Sequence, residues 1–325
     1  NPRGLDVFLR LLDDADVLVE NYRAPVKQRL GIDYETVSAR NPRIIYASIS
    51  GFGQQGPYRE RPGLDQVAQG MSGLMSVTGP KGTGPWRTGI AISDTASGTF
   101  LTQGVLAALF TRERTGRGQW VHTSLLESMI NMMDFQATRW LIDGEVPEQA
   151  GNNHPTLFPM GTFKTRDGAI NIAAITKWDA FVAAIDGAAI EADPRFADFM
   201  SRMKHRDALL EVIEAKLAVR DSSDWVTRLN EADLPCGPIY AMDEVFADPQ
   251  VEHLQMAQTV EHQTDGPVAL LRHPVTFSQT PTRVKAAAPV PGIHSREILG
   301  QCGYDEGEVE ELLGCGAVAC EQPQR

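Results

Sequence analysis

The chain has 325 residues, 42% of them apolar, and a formal charge of −12. That is enough for two domains or one large one, with a core that needs no disulfide or metal staple, and the acidic balance argues against a nucleic-acid partner, because phosphate binding needs a basic surface to release counterions. No apolar run approaches the ~18 residues of a membrane span and no secretory apolar stretch is present, so no membrane association is expected.

The chain opens at Asn1-Pro2 without Met and goes straight into an amphipathic segment, which reads as a protein lacking its true N-terminus. Leu5 to Leu12 predicts a helix, with Leu5, Phe8, Leu9 and Leu12 on one stripe. Val17-Leu18-Val19 and Ile44–Ile49 read as buried strands, the second ending at Gly51-Phe52-Gly53, before a Gly/Pro/Arg-rich loop from Gln54 to Gly63. Leu64 to Val77 predicts a helix, and a long Gly/Pro-rich loop follows through Trp86. Asp94 to Arg114 is the strongest helical pattern, closed by Gly116-Arg117-Gly118-Gln119. A strand at Trp120–Ser124 and a Met-rich helix from Leu126 to about Ile142 come next. Strands alternating with helices point to βα units on a parallel sheet.

The character changes near Asp143. Thr162–Thr165 and Ala169–Ala173 flank Arg166-Asp167-Gly168, a hairpin with Asp-Gly as its turn signal. Helices are expected at about Trp178–Ile185, Asp207–Leu217 and Ser223–Glu231. Beyond Pro274 the chain is Pro-rich, and two short helices, His294–Gln301 and Glu306–Leu313, finish it. The expected organisation is a large α/β domain over 1–145, a smaller α+β domain over 146–275, and a linker with C-terminal helices over 276–325.

The cysteines, Cys236, Cys302, Cys315 and Cys320, form no C-x-x-C pair and sit near no histidine ligand pattern. They read as reduced thiols of a cytoplasmic protein, with no metal site. There is no G-x-G-x-x-G after a strand, no P-loop and no G-x-S-x-G, which removes the commonest nucleotide and hydrolase readings.

Asp94, in Ile92-Ser93-Asp94-Thr95-Ala96-Ser97-Gly98, opens the longest predicted helix. One reading is an N-cap. The other is a nucleophile, kept ionised by the helix dipole, that attacks a thioester to form an anhydride, with Ala96, Ser97 and Gly98 leaving room for substrate. The two are compatible. Asp65 stands at the start of another predicted helix, as a cap or as a second carboxylate of the site. Arg23, Lys27 and Arg29 cluster after the first strand, at the edge where ligands bind in open α/β sheets. They are either a solvated surface or a phosphate clamp. His154, in the loop Gly151-Asn152-Asn153-His154, is a surface histidine or a general base. His122 lies in a strand pattern.

Taken together, Asp16–Arg23, Ser50–Gln54, Gln66–Gly73, Asp94–Gly98, Leu106–Leu109, Thr115–Gln119 and Pro235–Pro238 resemble, in order, the family III CoA-transferases of the formyl-CoA and carnitine type. The resemblance implies an α/β subunit with a Rossmann-like large domain built from both chain ends, a smaller α+β domain, and an interlocked homodimer. It implies an enzyme that moves CoA from an acyl-CoA donor to a small carboxylate acceptor, with acyl-CoA as substrate and no permanently bound cofactor. The family's catalytic aspartate falls on Asp94, which would carry the aspartyl anhydride and then the aspartyl-CoA thioester. Asn21, Tyr22 and Arg29 fall on positions lining the CoA pocket, beside the phosphate-clamp candidate Arg23. Asp65 falls on an acidic residue close to the reacting carboxylate. The loop Gly151, Asn152, Asn153, His154 falls on a mobile glycine-rich lid, although it carries only one glycine.

Two alternatives stay open. The related α-methylacyl-CoA racemases resemble Gly-His-Asp where this chain has Gly63-Leu64-Asp65. Since racemisation needs a base on each face of the α-carbon, Leu64 argues against an acyl-CoA isomerase or racemase. Family members also carry roughly one more βαβ unit before the point where this chain begins, so a truncated, non-catalytic CoA-binding paralogue is the third expectation.

Overall fold

The computed structural model describes residues 1–320; the last five positions of the expected 276–325 segment lie outside the described residues. Helix α1 (Pro2–Leu11) is capped by the Asn1 side chain, which accepts from the Arg3 amide, and ends at the αR residue Leu12. Strand β1 (Val17–Glu20) follows. Two short helices, α2 (Ala24–Leu30) and α3 (Tyr34–Arg40), then lead to β2 (Ile45–Ser50). Neither helix is expected from periodicity: seven residues make about two turns, too few for a repeat to show. Their ends carry the local signals instead, with Pro25 in the first turn and left-handed Gly31 closing α2, and the Asp33 side chain capping α3.

The predicted helix over Leu64–Val77 is two helices, α4 (Asp65–Met71) and α5 (Leu74–Val77), separated at Gly73, whose φ is 91°. Helix α6 (Ile92–Thr115) begins two residues before Asp94 and ends on left-handed Gly116. Strand β3 (Gln119–Ser124) follows. The Met-rich helix also divides, into α7 (Leu125–Met132) and α8 (Asp134–Asp143), where Asp134 takes φ 46°. Strands β1, β2 and β3 form one parallel sheet in that order. Against it Leu12, Val37, Ile44 and Tyr46 build a core to which Tyr34 and Trp120 add stacked and edge-on rings. Arg112 pins the end of α6: its guanidinium donates to the backbone of Asp16 and Arg43 and to the Asp16 carboxylate at 2.7 Å. Those residues precede β1 and β2, so α6 runs back along the sheet and its first turn lies towards the carboxyl ends of the strands.

The expected hairpin forms as β4 (Met160–Lys164) and β5 (Ala169–Ala173), joined by the edge strand β6 (Cys236–Pro238) in an antiparallel sheet. Its core runs from Phe158 to Leu234 and gathers Phe163, Phe181, Ile213, Trp225 and Leu229 from the sheet and from helices at Trp178–Ala184, Arg206–Leu217 and Ser222–Glu231. A second hairpin, β7 (Ala257–His262) and β8 (Gly266–Leu271), was not expected. Its burial alternates between half-buried and exposed residues along both strands, so its apolar signal is weak. The C-terminal helices Ser295–Gln301 and Glu306–Gly314 pack on α1 through Val7, Leu299, Val309 and Leu312. Thus the two ends of the described chain share one cluster. Among the described residues no helix is long and apolar enough to cross a membrane.

Candidate active site

The loops leaving β1 and β2 meet at the carboxyl edge of the parallel sheet. They can do so because Gly51 and Gly63 cross backbone to backbone: a Cβ on Gly51 would lie 2.7 Å from the Gly63 Cα. This crossing returns the 54–63 loop to the strand edge and delivers Leu64 and Asp65 there. A cleft of about 540 Å³ results, lined by Asn21 and Arg23 after β1, Ser50 and Gly51 at the end of β2, and Pro62, Gly63, Leu64 and Val67. A smaller one of about 350 Å³ adjoins it through Asn21 and is also lined by Glu20, Tyr22 and Leu30.

Asp65 is not the cap of its own helix, whose N-cap is Leu64. It caps α6 instead. Its Oδ1 accepts from the Ser93 amide at 2.9 Å and the Ser93 hydroxyl at 2.7 Å. Its Oδ2 accepts from Gln69 Nε2 at 2.7 Å, one helical turn along α4. Gln69 is fully buried and is itself held, its Oε1 accepting from the Thr88 amide and its Nε2 also reaching the Ile90 carbonyl. Desolvation works against the Asp65 charge, but the Ser93 and Gln69 donors outweigh it and hold the carboxyl below the ordinary aspartate range.

Nor is Asp94 an N-cap: that position belongs to Ala91, and Asp94 is the third residue of α6. It is exposed in the single chain, and among the described residues its carboxylate has no hydrogen-bond partner. Its pKa is pushed up, first by desolvation and then by the nearby Asp65 charge. Of the three small residues after it only Gly98, one turn on, stands over open space. Ala96 and Ser97 face inward, and the Ser97 hydroxyl donates to the Ser93 carbonyl at 2.7 Å. Two carboxylates are therefore driven apart: one is locked and fully ionised, the other bare and more basic.

The cationic run does not act as one cluster. Arg23 lines the larger cleft, its guanidinium donating to the Glu60 carbonyl at 3.3 Å, and Arg29 is exposed in the last turn of α2. Lys27 is buried and paired with Glu20, which removes it from any surface clamp. The loop Gly151–His154 is tied down along its length. The Gly151 amide donates to the Gly79 carbonyl, the Thr162 amide to the Asn152 carbonyl, and the His154 amide to the Met160 carbonyl at 2.8 Å. The His154 ring stacks on Phe135 with centroids 5.1 Å apart. Burial and then Arg206 lower its pKa. Asn152 and His154 line an apolar cleft of about 410 Å³ against β4, β5 and β6, which contains no residue of α6. His122 lies in β3, its ring tilted against Trp120.

Ser93 and Gln69, which fix Asp65, were not singled out from the sequence. The signal available was the four-residue spacing of Asp65 and Gln69 on one helix face; the contact of Ser93 with Asp65 bridges 28 positions and leaves no local trace.

The fold is mixed α/β, with a cleft at the carboxyl edge of a parallel sheet; Leu64 lines it, next in sequence to Asp65, while Asp94 lines none of the clefts described. The chain belongs to CoA-transferase family III, whose family model matches residues 1–295, and it is an enzyme that transfers CoA. An acyl-CoA transferase from Fusarium pseudograminearum is 35% identical over 97% of this chain and 70% of its own length. A succinate–glutarate CoA-transferase from Agrobacterium fabrum is 32% identical over 92% of this chain and 76% of its own. A crystal structure of a CaiB/BaiF family protein from Brucella suis superposes with a TM-score of 0.82 at 32% identity, covering 93% of this chain and 79% of that one.

Proposed function

We propose that this chain moves CoA from an acyl-CoA donor to a small carboxylate acceptor, with Asp94 as the covalent carrier. The observation that carries the reading is the bare carboxylate of Asp94 in the first turn of α6, made more basic by partial desolvation and by Asp65. An Asp94 oxygen adds to the donor thioester carbonyl and CoA thiolate leaves, giving a mixed anhydride. The thiolate then attacks the aspartyl carbonyl and expels the donor acid, leaving an aspartyl-CoA thioester. The acceptor carboxylate attacks that thioester at the same carbon, re-forming an anhydride and free thiolate. Thiolate attack on the acceptor's acyl carbon releases the new acyl-CoA and restores Asp94. Charge is conserved at every step, and no external proton donor is required.

Acyl-CoA enters as substrate. Asn21, Tyr22, Arg23 and Arg29 would hold its nucleotide and pantetheine parts, the two guanidiniums meeting phosphate. Asp65 would fix the helix that presents Asp94, while Gly151–His154, tied to Gly79, Met160 and Thr162, is held away from a lid role. The relative from Agrobacterium fabrum, named for succinate and glutarate, favours short dicarboxylates as acceptors. The family implies a Rossmann-like large domain over 1–145, a small domain over 146–275, a return over 276–325, and an interlocked dimer. The exposed apolar residues Trp140, Leu141, Ile142 and Val146 support a partner surface there. An α-proton exchange reaction is disfavoured because Leu64, 76% exposed at the cleft, can neither give nor take a proton.

The test is to incubate the protein with acyl-CoA donors, quench with hydroxylamine, and weigh the peptide holding Asp94. A donor-dependent hydroxamate at Asp94 is expected. Asp94→Ala should remain folded and lose transfer by at least about a thousandfold. Transfer at the native rate by that variant would overturn the reading.

A further inference from the structure

The ion pair between Lys27 and Glu20 is almost wholly inside the protein, with side chains 4% and 3% exposed. Glu20 ends β1 and uses both oxygens. Oε1 accepts from Lys27 Nζ at 2.9 Å, and Oε2 accepts from the Tyr22 amide at 2.7 Å. Lys27 reaches back from α2, gives a second hydrogen bond to Ser48 Oγ on β2 at 3.2 Å, and lies 4.7 Å from the Trp120 ring centre and 5.4 Å from that of Tyr46. Ser48 Oγ accepts in turn from the Trp120 indole at 2.8 Å. Strand β1, strand β2, strand β3 and helix α2 are thereby tied at one point.

An apolar pair of equal volume would often serve stability as well, because burying two charges costs about what their attraction returns. What an apolar pair cannot do is grip a backbone amide. That amide belongs to Tyr22, in the middle of the three residues that turn from β1 into α2. Asn21 borders both clefts, Arg23 the larger one and Tyr22 the smaller, so the conformation of this turn decides which groups face the ligand.

We propose that Lys27 and Glu20 are positioning residues that set the Asn21–Tyr22–Arg23 turn for acyl-CoA binding; this rests on reading the clefts beside it as the acyl-CoA site. Lys27 orients the Glu20 carboxylate from below, and Glu20 clasps the turn from within. Neither residue touches the reacting atoms, so their loss should weaken ligand capture and spare the chemical step.

The test compares the full native chain with Glu20→Leu/Lys27→Met, which removes both charges together and strands neither. The expected result is a folded protein whose KM for acyl-CoA rises about tenfold, the scale of one charge-assisted hydrogen bond, while kcat and the KM for the carboxylate acceptor stay within about twofold. A folded double variant with native KM for acyl-CoA would overturn the inference, leaving the pair as packing alone. Should the double variant not fold, Glu20→Asp supplies the measurement. Its side chain is one methylene too short to hold both the Tyr22 amide and Lys27, so the same selective rise in KM is expected, and its absence sinks the idea. Native protein that transfers no CoA and binds none would overturn the acyl-CoA reading itself, a result told apart by that control before any variant is made.

Discussion

A carboxylate attacks a carbonyl better the more basic it is, yet only its ionised form attacks at all. The pKa of Asp94 is raised by partial desolvation and by the Asp65 charge, so its transfer activity should fall on the acid side at a pH above that of an ordinary aspartate. Asp65→Asn removes the second of those causes and leaves the first. Its acid limb should therefore move to lower pH without reaching the ordinary aspartate position, as a pH profile of kcat/KM would record. An unmoved limb would mean that the two carboxylates do not communicate. The same substitution has a stability consequence of definite sign. The folded pKa of Asp65 is depressed, so its contribution is complete above the unfolded value and is lost as pH falls through the folded one. Native protein should thus lose more stability than Asp65→Asn does on acidification.

At the scale of elements, the Gly51–Gly63 crossing carries the most consequence. A methyl group on Gly51 meets backbone at 2.7 Å, with no flexible side chain to yield. Gly51→Ala should cost about 1–3 kcal/mol, the scale of overpacking, read as a lowered unfolding midpoint. Because the displaced loop carries Leu64 and Asp65, CoA transfer should fall further than stability does. Elements of this kind were only partly legible in the sequence. The long helix of Asp94 is marked by its closing Gly116 and the hairpin by its Asp-Gly turn, and both form close to where they are expected. The helices over Leu64–Val77 and Leu126–Ile142 show a continuous apolar signal, but Gly73 and Asp134 take positive φ and break each in two. Apolar periodicity cannot register a backbone angle. Likewise Lys27 reads as one of three surface cations. Its burial depends on Glu20, Ser48 and Trp120, which meet only when three strands have assembled.

For the whole molecule, the end of α8 leaves Leu141 79% and Ile142 76% exposed, beside Trp140 and Val146. Scattered single apolar residues on a surface are ordinary, whereas contiguous ones mark a surface that is covered. Leu141→Glu placed in a self-complementary interface would set like charges and unsolvated carboxylates against each other. Sedimentation should then show the proposed dimer giving way to monomer, with little change in the unfolding of the Phe158–Leu234 core. A dimer unaffected by the charge would place the partner surface elsewhere.

Val7, in the first helix, buries its side chain against Leu299, Val309 and Leu312. During synthesis α1 emerges from the ribosome long before the residues that cover it exist. About 300 residues must still be added, which at roughly 5–20 residues per second takes on the order of half a minute. Throughout that interval the Val7 side of α1 is open to solvent and to chaperones, whereas Phe8 and Leu9 pack on the earlier core of Leu12, Val37, Ile44 and Tyr46. The helices that close over Val7 are made only after the strands of all three sheets.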